Sequence, residues 1–379
     1  MANTLYTPEQ AARATLARLR YLSVLPRTVR QDFSSEFVAG KGQTVNVRGP
    51  VTVAEARTYT AANRTARDSI VFDDIGQVIY PVTMDDQVYS AVRLPDDFAT
   101  FTLESMAQQV LFPQAQSVVR GITDPLHVKM QGISPASGVP LVAADGSNIR
   151  TVLIALRRVL NNREVPIEDR VVAVGPGVEA AILADEQLQK VNEAGTDSML
   201  RMATIGMLFG FTIVAEPRLP DYFGVAYNRD AFAHVTRPSR PPEGAGSAAV
   251  ISQDGMALRW IQHYNPNQLE EQSVVDAFVG AAILDPERAV SFGAALVGSS
   301  IDVTPATDSI AVGETTTLSV ADSAGTPIPN RLVTWTTSNA GRATVDADGV
   351  VTGVAAGTAA TITAAYGGQT DTSAVTVTS

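Results

Sequence analysis

The last eighty or so residues limit the fold more than any other part of the sequence. From 301 to 379 charge thins, helical periodicity stops, and short runs of Thr, Val and Ala recur between Gly, Asp and Pro turns. Short strands punctuated in this way specify a small β-sandwich. Such a sandwich encloses its own core, so residues 1–300 must form a separate body that carries it.

The chain has 379 residues, enough for several domains and an ample core. Its formal charge of -11 is spread along the sequence, which argues against a surface that grips phosphate as a whole. One asymmetry stands out. Residues 1–67 carry ten Lys or Arg against four Asp or Glu, so a basic start, including Arg13, Arg18 and Arg20, sits on an acidic protein. A solvated helix face with local ion pairs would explain it, as would contact with an acidic partner or packaged nucleic acid. Cysteine is absent, which removes disulfides, thiolate nucleophiles and Cys-ligated zinc. The first twenty residues hold no apolar core of a signal peptide, and no run approaches the ~18 apolar residues of a membrane span. Neither standard export nor a membrane partner is expected.

Thr7, Pro8 and Gln10 read as a helix start, with the helix running to about Leu22. Extended patterns follow around Val45 and Val47, Val51 and Val53, 70–72, 78–84 and 88–92, and between them 54–69 is too polar to bury. A polar excursion flanked by strands reads as a long hairpin arm lying on something else, or as a loose loop. Asp96 and Asp97 precede a helical stretch over 98–110, and Pro113 starts a second one to about Ile122. The clearest helix follows the candidate caps 145–148, with Ile149, Val152, Leu153, Leu156, Val159 and Leu160 on one face and Asn161 and Asn162 at its end. Strands are expected at 171–174, 211–214 and 256–264, helices at 176–188 and 197–204, and a sheet-pairing or short buried element at 273–284. The order is α+β and irregular.

No catalytic set converges. Gly175-Pro176-Gly177 with Ala180 fits G-x-G-x-x-A between a strand and a helix, but Pro176 removes a donor from the loop that would cradle pyrophosphate. A strand-to-helix turn is the better reading. Gly40-Lys41-Gly42 lacks the rest of a phosphate loop. His127, His234 and His263 are far apart, so structural or surface roles outweigh a triad or metal site. Asp346 to Gly349 begins like a calcium loop yet lacks its later ligands, and a hairpin turn explains it better. No catalytic, cofactor or metal residue is assigned, and no enzyme is expected.

In series, several stretches of 95–297 resemble the major capsid proteins of tailed bacteriophages, in the branch related to the Salmonella phage coat protein with the Hong Kong 97-type fold. They are Val165-Pro166 with 170–174, the run 206–214 containing Gly206, Gly210 and Phe211, then 227–232, 255–259 before Tyr264, and 280–286 before Val290. The resemblance implies an N-terminal arm at 1–50, an E-loop with flanking strands at 51–94, and spine helix, peripheral and axial domains at 95–297. It further implies a coat protein that self-assembles into hexamers and pentamers of an icosahedral head. That head would be built in the host cytoplasm with a separate scaffolding protein and a portal, and would enclose double-stranded DNA held without sequence preference. Arg57, Arg64 and Arg67 on the loop would then reach acidic groups of a neighbouring subunit, and Arg13, Arg18 and Arg20 would face the interior. The loop holds no lysine, so Lys-Asn cross-linking of the type member is not expected.

After a linker at 298–300, residues 301–379 resemble bacterial Ig-like modules of group 2, through Ile301 to Pro305, Val333-Thr334-Trp335, 343–346, 349–354 and 361–364. Trp335 is expected between the sheets. An outward Ig-like domain would serve decoration, stabilisation or weak attachment to host-surface glycans. A bacterial cell-surface Ig-like adhesin is the alternative function.

Overall fold

The computed structural model describes residues 24–31, 43–52, 56–72, 76–97, 110, 112–143, 146–184, 204–242, 247–253, 256–294 and 300–379. The expected helices at 7–22, 98–110 and most of 197–204 lie outside the described residues, as do Arg13, Arg18 and Arg20. Thr204 itself opens a strand.

An arm comes first. Strands β1 (Thr44–Thr52) and β2 (Gly76–Thr83) pair antiparallel, with a bulge between Arg48 and Val51. Between them sits the short helix α1 (Ala61–Ala66). The hairpin begins seven residues before position 51 because Val45 and Val47 already alternate with polar neighbours. Residues 70–72 do not form a strand; they stay irregular and exposed.

The body runs through β3 (Asp86–Pro95), α2 (Phe112–Gln131), α3 (Ile149–Asn162), β4 (Arg170–Val174), α4 (Pro176–Ala184), β5 (Thr204–Leu208), β6 (Phe211–Ala215), β7 (Phe223–Asn228), β8 (Phe232–Arg237), β9 (Ser247–Gln253), β10 (Met256–Asn265), β11 (Glu270–Ile283) and β12 (Ala289–Gly293). Two five-stranded sheets result. One has the order β3-β11-β10-β9 with β8 also on β11, and the other β12-β7-β4-β6-β5. Within these two sheets only β4 and β6 pair parallel. Their neighbours pair antiparallel.

β3 belongs to the body rather than to the loop, since it pairs with β11 along its whole length. α2 continues past Ile122 to Gln131 with Pro125 inside it, because Val118, Val119, Ile122, Leu126 and Met130 keep one apolar face buried. Packing on that face outweighs the hydrogen bond the proline forfeits. α3 buries the predicted stripe apart from Val159, which is half-buried, but the side chain of Asn148 does not cap it. Its Oδ1 accepts from the Ala143 N–H at 2.7 Å and its Nδ2 donates to the Leu141 carbonyl at 2.7 Å, which fixes the preceding loop instead.

The last domain contains β13 (Ile301–Thr304), β14 (Thr307–Ala311), β15 (Thr315–Thr317), β16 (Ser319–Asp322), β17 (Pro327–Ile328), β18 (Thr334–Thr337), β19 (Ala343–Val345), β20 (Val350–Gly353), β21 (Ala360–Tyr366) and β22 (Gln369–Thr378). They form sheets β13-β16-β17, β14-β22-β21-β18 and β15-β20-β19. Alternation drives the closure: Ile362, Ala364, Val375 and Val377 point inward while their neighbours point out. This core is continuous with that of the body.

Candidate functional site

The arm is rooted and its tip is bare. Val47, Val82 and Met84 pack with Ala233, Val235 and Leu284 of the body. Beyond them, no described residue from 56 to 72 is buried. The tip nevertheless holds a shape of its own. Thr60 and Asn63 form a capping box at the start of α1, and Arg67 closes the helix with a left-handed φ of 55°. Tyr59 donates its hydroxyl to the Asp68 carbonyl at 2.7 Å. Arg57, Arg64 and Arg67 are each exposed on this segment. The sequence reading missed the adjacent apolar step, where Ile70, Val71 and Phe72 are 67%, 62% and 91% exposed. Three consecutive large apolar residues beside a polar run were the available signal.

The start of the described chain is pinned to the body. Leu25 and Val29 are fully buried, Arg30 bridges to Ala233, and Thr28 Oγ lies 2.5 Å from the Tyr227 hydroxyl. Burial drives the Tyr227 phenol well above its ordinary range, with Thr28 pulling against the shift.

The motifs that suggested chemistry resolve as structure. A Cβ on Gly175 would sit 2.0 Å from the Pro220 carbonyl oxygen, and one on Gly177 2.8 Å from that of Asp221. These glycines allow the β4-to-α4 turn to pass close to the 220–221 backbone. Asp346 Oδ1 accepts from the N–H groups of Asp348 and Val350, and Gly349 has φ +72°, so this is the hairpin turn of β19 and β20. Gly210 at φ +83° makes the β5–β6 turn, Phe211 behind it is fully buried, and Gly206 lies at a register shift in β5. His263 is exposed while His127 and His234 are buried. Burial lowers the His234 pKa to about 4, with the Ile122 carbonyl as a counteracting hydrogen-bond partner at 3.0 Å. Among the described residues no group of three or more His, Asp or Glu could hold a metal ion.

The final domain does not hang free. Tyr222 at the base of β7 donates to Asp322 Oδ2 at 2.6 Å, and both residues are buried. Burial pushes the Asp322 carboxyl up, but Tyr222 and the N–H groups of Thr326 and Ala324 outweigh it and hold the group below its usual range. Tyr366 donates to the Ala294 carbonyl just after β12. Arg331 forks onto Asp348 at 2.6 and 2.7 Å and reaches Ser134 of the body at 3.3 Å. Trp335 packs half-buried on the inner side with its indole N–H on the Asn330 carbonyl at 3.1 Å. On the opposite side of its sheet, Thr334, Thr336, Thr361, Thr363, Thr372 and Thr376 share an outward face that carries no charged residue.

Residues 299–377 match the bacterial Ig-like domain of group 2. No curated protein matches the chain. A solved structure from Mycobacterium phage Che8 superimposes with a TM-score of 0.51 at 19% identity, over 70% of this chain and 89% of that one. The capsid of cyanophage P-SCSP1u gives 0.49 at 13% identity over 67% and 84%. The capsid of Ralstonia phage GP4 gives 0.46 at 11% identity over 79% and 94%. The chain thus shares its fold with a phage protein structure over 70% of its length, and residues 299–377 add a bacterial Ig-like domain of group 2.

Proposed function

We propose that this chain is the major capsid protein of a tailed bacteriophage, assembling with copies of itself into the hexamers and pentamers of an icosahedral, DNA-containing head. The arm carries the reading. It is anchored by Val47 and Val82, yet its tip holds Ile70, Val71 and Phe72 in solvent beside three arginines. An exposed apolar step of this kind marks an interaction surface, and the neighbouring copy is the partner a shell always supplies. On a chain of charge -11, carboxylates outnumber basic groups on each copy, and guanidinium groups suit carboxylates at interfaces. Contacts that are weak singly multiply when each subunit makes several at once.

In this reading the basic residues Arg13, Arg18 and Arg20 face packaged DNA, assembly uses a separate scaffolding protein and a portal in the host cytoplasm, and catalysis has no part. The Ig-like domain stands on the shell, where its uncharged threonine face supports weak attachment to neutral host-surface glycans or plain reinforcement. Electron microscopy of the purified protein with and without scaffold tests the reading. Closed shells of uniform size are expected. A stable monomer whose residues 56–72 are protected from amide exchange by their own body would overturn it.

A further inference from the structure

We propose that the Ig-like domain is a fixed cap on the β12 end of the body sheet, so that body and domain fold as one cooperative unit. β12 is an edge strand, paired only with β7 in its sheet. An edge with free N–H and C=O groups invites pairing with other chains unless it is covered. Two short bridges from the 134–142 segment, Pro135 to Ser291 and Val142 to Ala294, cover part of its open side. The Ig-like domain closes the end. Its Tyr366 hydroxyl takes the Ala294 carbonyl, and Tyr366 and Leu332 press so closely on Gly293 that a Cβ there would meet them at 2.5 and 3.2 Å.

The second fastening is the Tyr222–Asp322 hydrogen bond. One oxygen of Asp322 is already taken by the N–H groups of Ala324 and Thr326 at 2.9 and 2.8 Å, which shapes the turn between β16 and β17. The other oxygen faces the body and finds Tyr222 at 2.6 Å. All three of Tyr222, Asp322 and Tyr366 are at least 95% buried. Separating the domains would break the Tyr222–Asp322 and Tyr366–Ala294 hydrogen bonds and open a core that runs unbroken from Phe292 and Ala294 to Ile301 and Tyr366. A tethered module needs none of these features. The domain thus acts first on its own subunit, hiding one sheet edge and fixing the direction in which its threonine face points. This does not depend on the shell reading.

The test uses the full chain, whose two tryptophans fall one on each side of the junction, Trp260 in β10 and Trp335 in β18. Trp335→Phe leaves a reporter of the body, and Trp260→Phe leaves a reporter of the Ig-like domain. In each background the junction is compared with and without Tyr222→Phe plus Tyr366→Phe, which delete two hydroxyls and keep the rings. With the junction intact, unfolding is expected to follow the same denaturant dependence at both reporters, with matching amide-exchange protection of β12 and β22. The double Phe variant should pull the two transitions apart by about 4 °C on heating and raise exchange in β12 at least tenfold. Separate transitions with the junction intact, or no change in midpoint and exchange in the double variant, would overturn the proposal. Exchange at β12 is read directly, so a loss of stability inside the Ig-like sandwich alone is told apart from a loosened junction.

Discussion

Arg259 grips Asp276 through two hydrogen bonds, Nε to Oδ1 at 2.8 Å and Nη2 to Oδ2 at 3.0 Å, across the pairing of β10 with β11. Asp276 is 1% exposed, and Oδ2 also accepts from Gln87 on β3 at 2.7 Å and Ser239 at 2.5 Å. One carboxylate therefore ties three strands and the segment after β8. Replacing Asp276 with Ala leaves a guanidinium facing an apolar gap, and urea unfolding should show a loss of about 3–5 kcal/mol. Gln87→Ala, which removes one of the four donated bonds, should lose only about 1 kcal/mol.

Acid should weaken the subunit through His234. The imidazole is fully buried, and its folded pKa of about 4 lies below the unfolded value near 6.5. Above pH ~6.5 neither state takes the proton and this group has no effect. As pH falls from there toward 4 the unfolded chain binds the proton first, so stability drops, by up to about 3 kcal/mol. Below pH 4 the contribution of this group levels off. His234→Gln should flatten that part of a stability-versus-pH curve measured by denaturant melts, while His263→Gln, an exposed position, should leave it in place.

The glycine turn that imitates a dinucleotide loop gives a third expectation. Gly175→Ala places a methyl 2.0 Å from the Pro220 carbonyl and should destabilise the body by about 1–3 kcal/mol. Millimolar nicotinamide or flavin dinucleotide should not raise the melting temperature of the unaltered chain; a rise that saturates with ligand would show that the turn binds.

Phe72 separates folding from assembly. At 91% exposure it buries little surface, so Phe72→Asp should change unfolding stability by no more than about 0.5 kcal/mol. In assembly reactions followed by light scattering the same variant should form few or no shells. Normal shells from Phe72→Asp would remove the apolar step from the arm's role.

How much could be read in advance depended on how local the cause was. α3 was legible because its apolar spacing and its stop at Asn161 and Asn162 lie within fourteen residues, and the hairpin arm because alternation brackets a polar run. The length of α2 was not, since Pro125 is a local stop signal that burial against β11 and β7 overrides. The glycines of 175–177 were legible as a turn, but the reason for them, the carbonyls of Pro220 and Asp221, is forty-five residues or so along the chain.

The amino-acid order alone determined that a strand-rich module follows a mixed body and that an arm precedes that body. Periodicity and turn chemistry act over a few neighbours, so a sequence states them directly. Only the tertiary structure decided that Tyr222 meets Asp322, 100 residues away, and that Tyr366 meets Ala294, 72 residues away. A phenol, a carboxylate and a glycine acquire those roles when two apolar surfaces close over them and exclude water, and that is a property of the packed interface rather than of any stretch of chain.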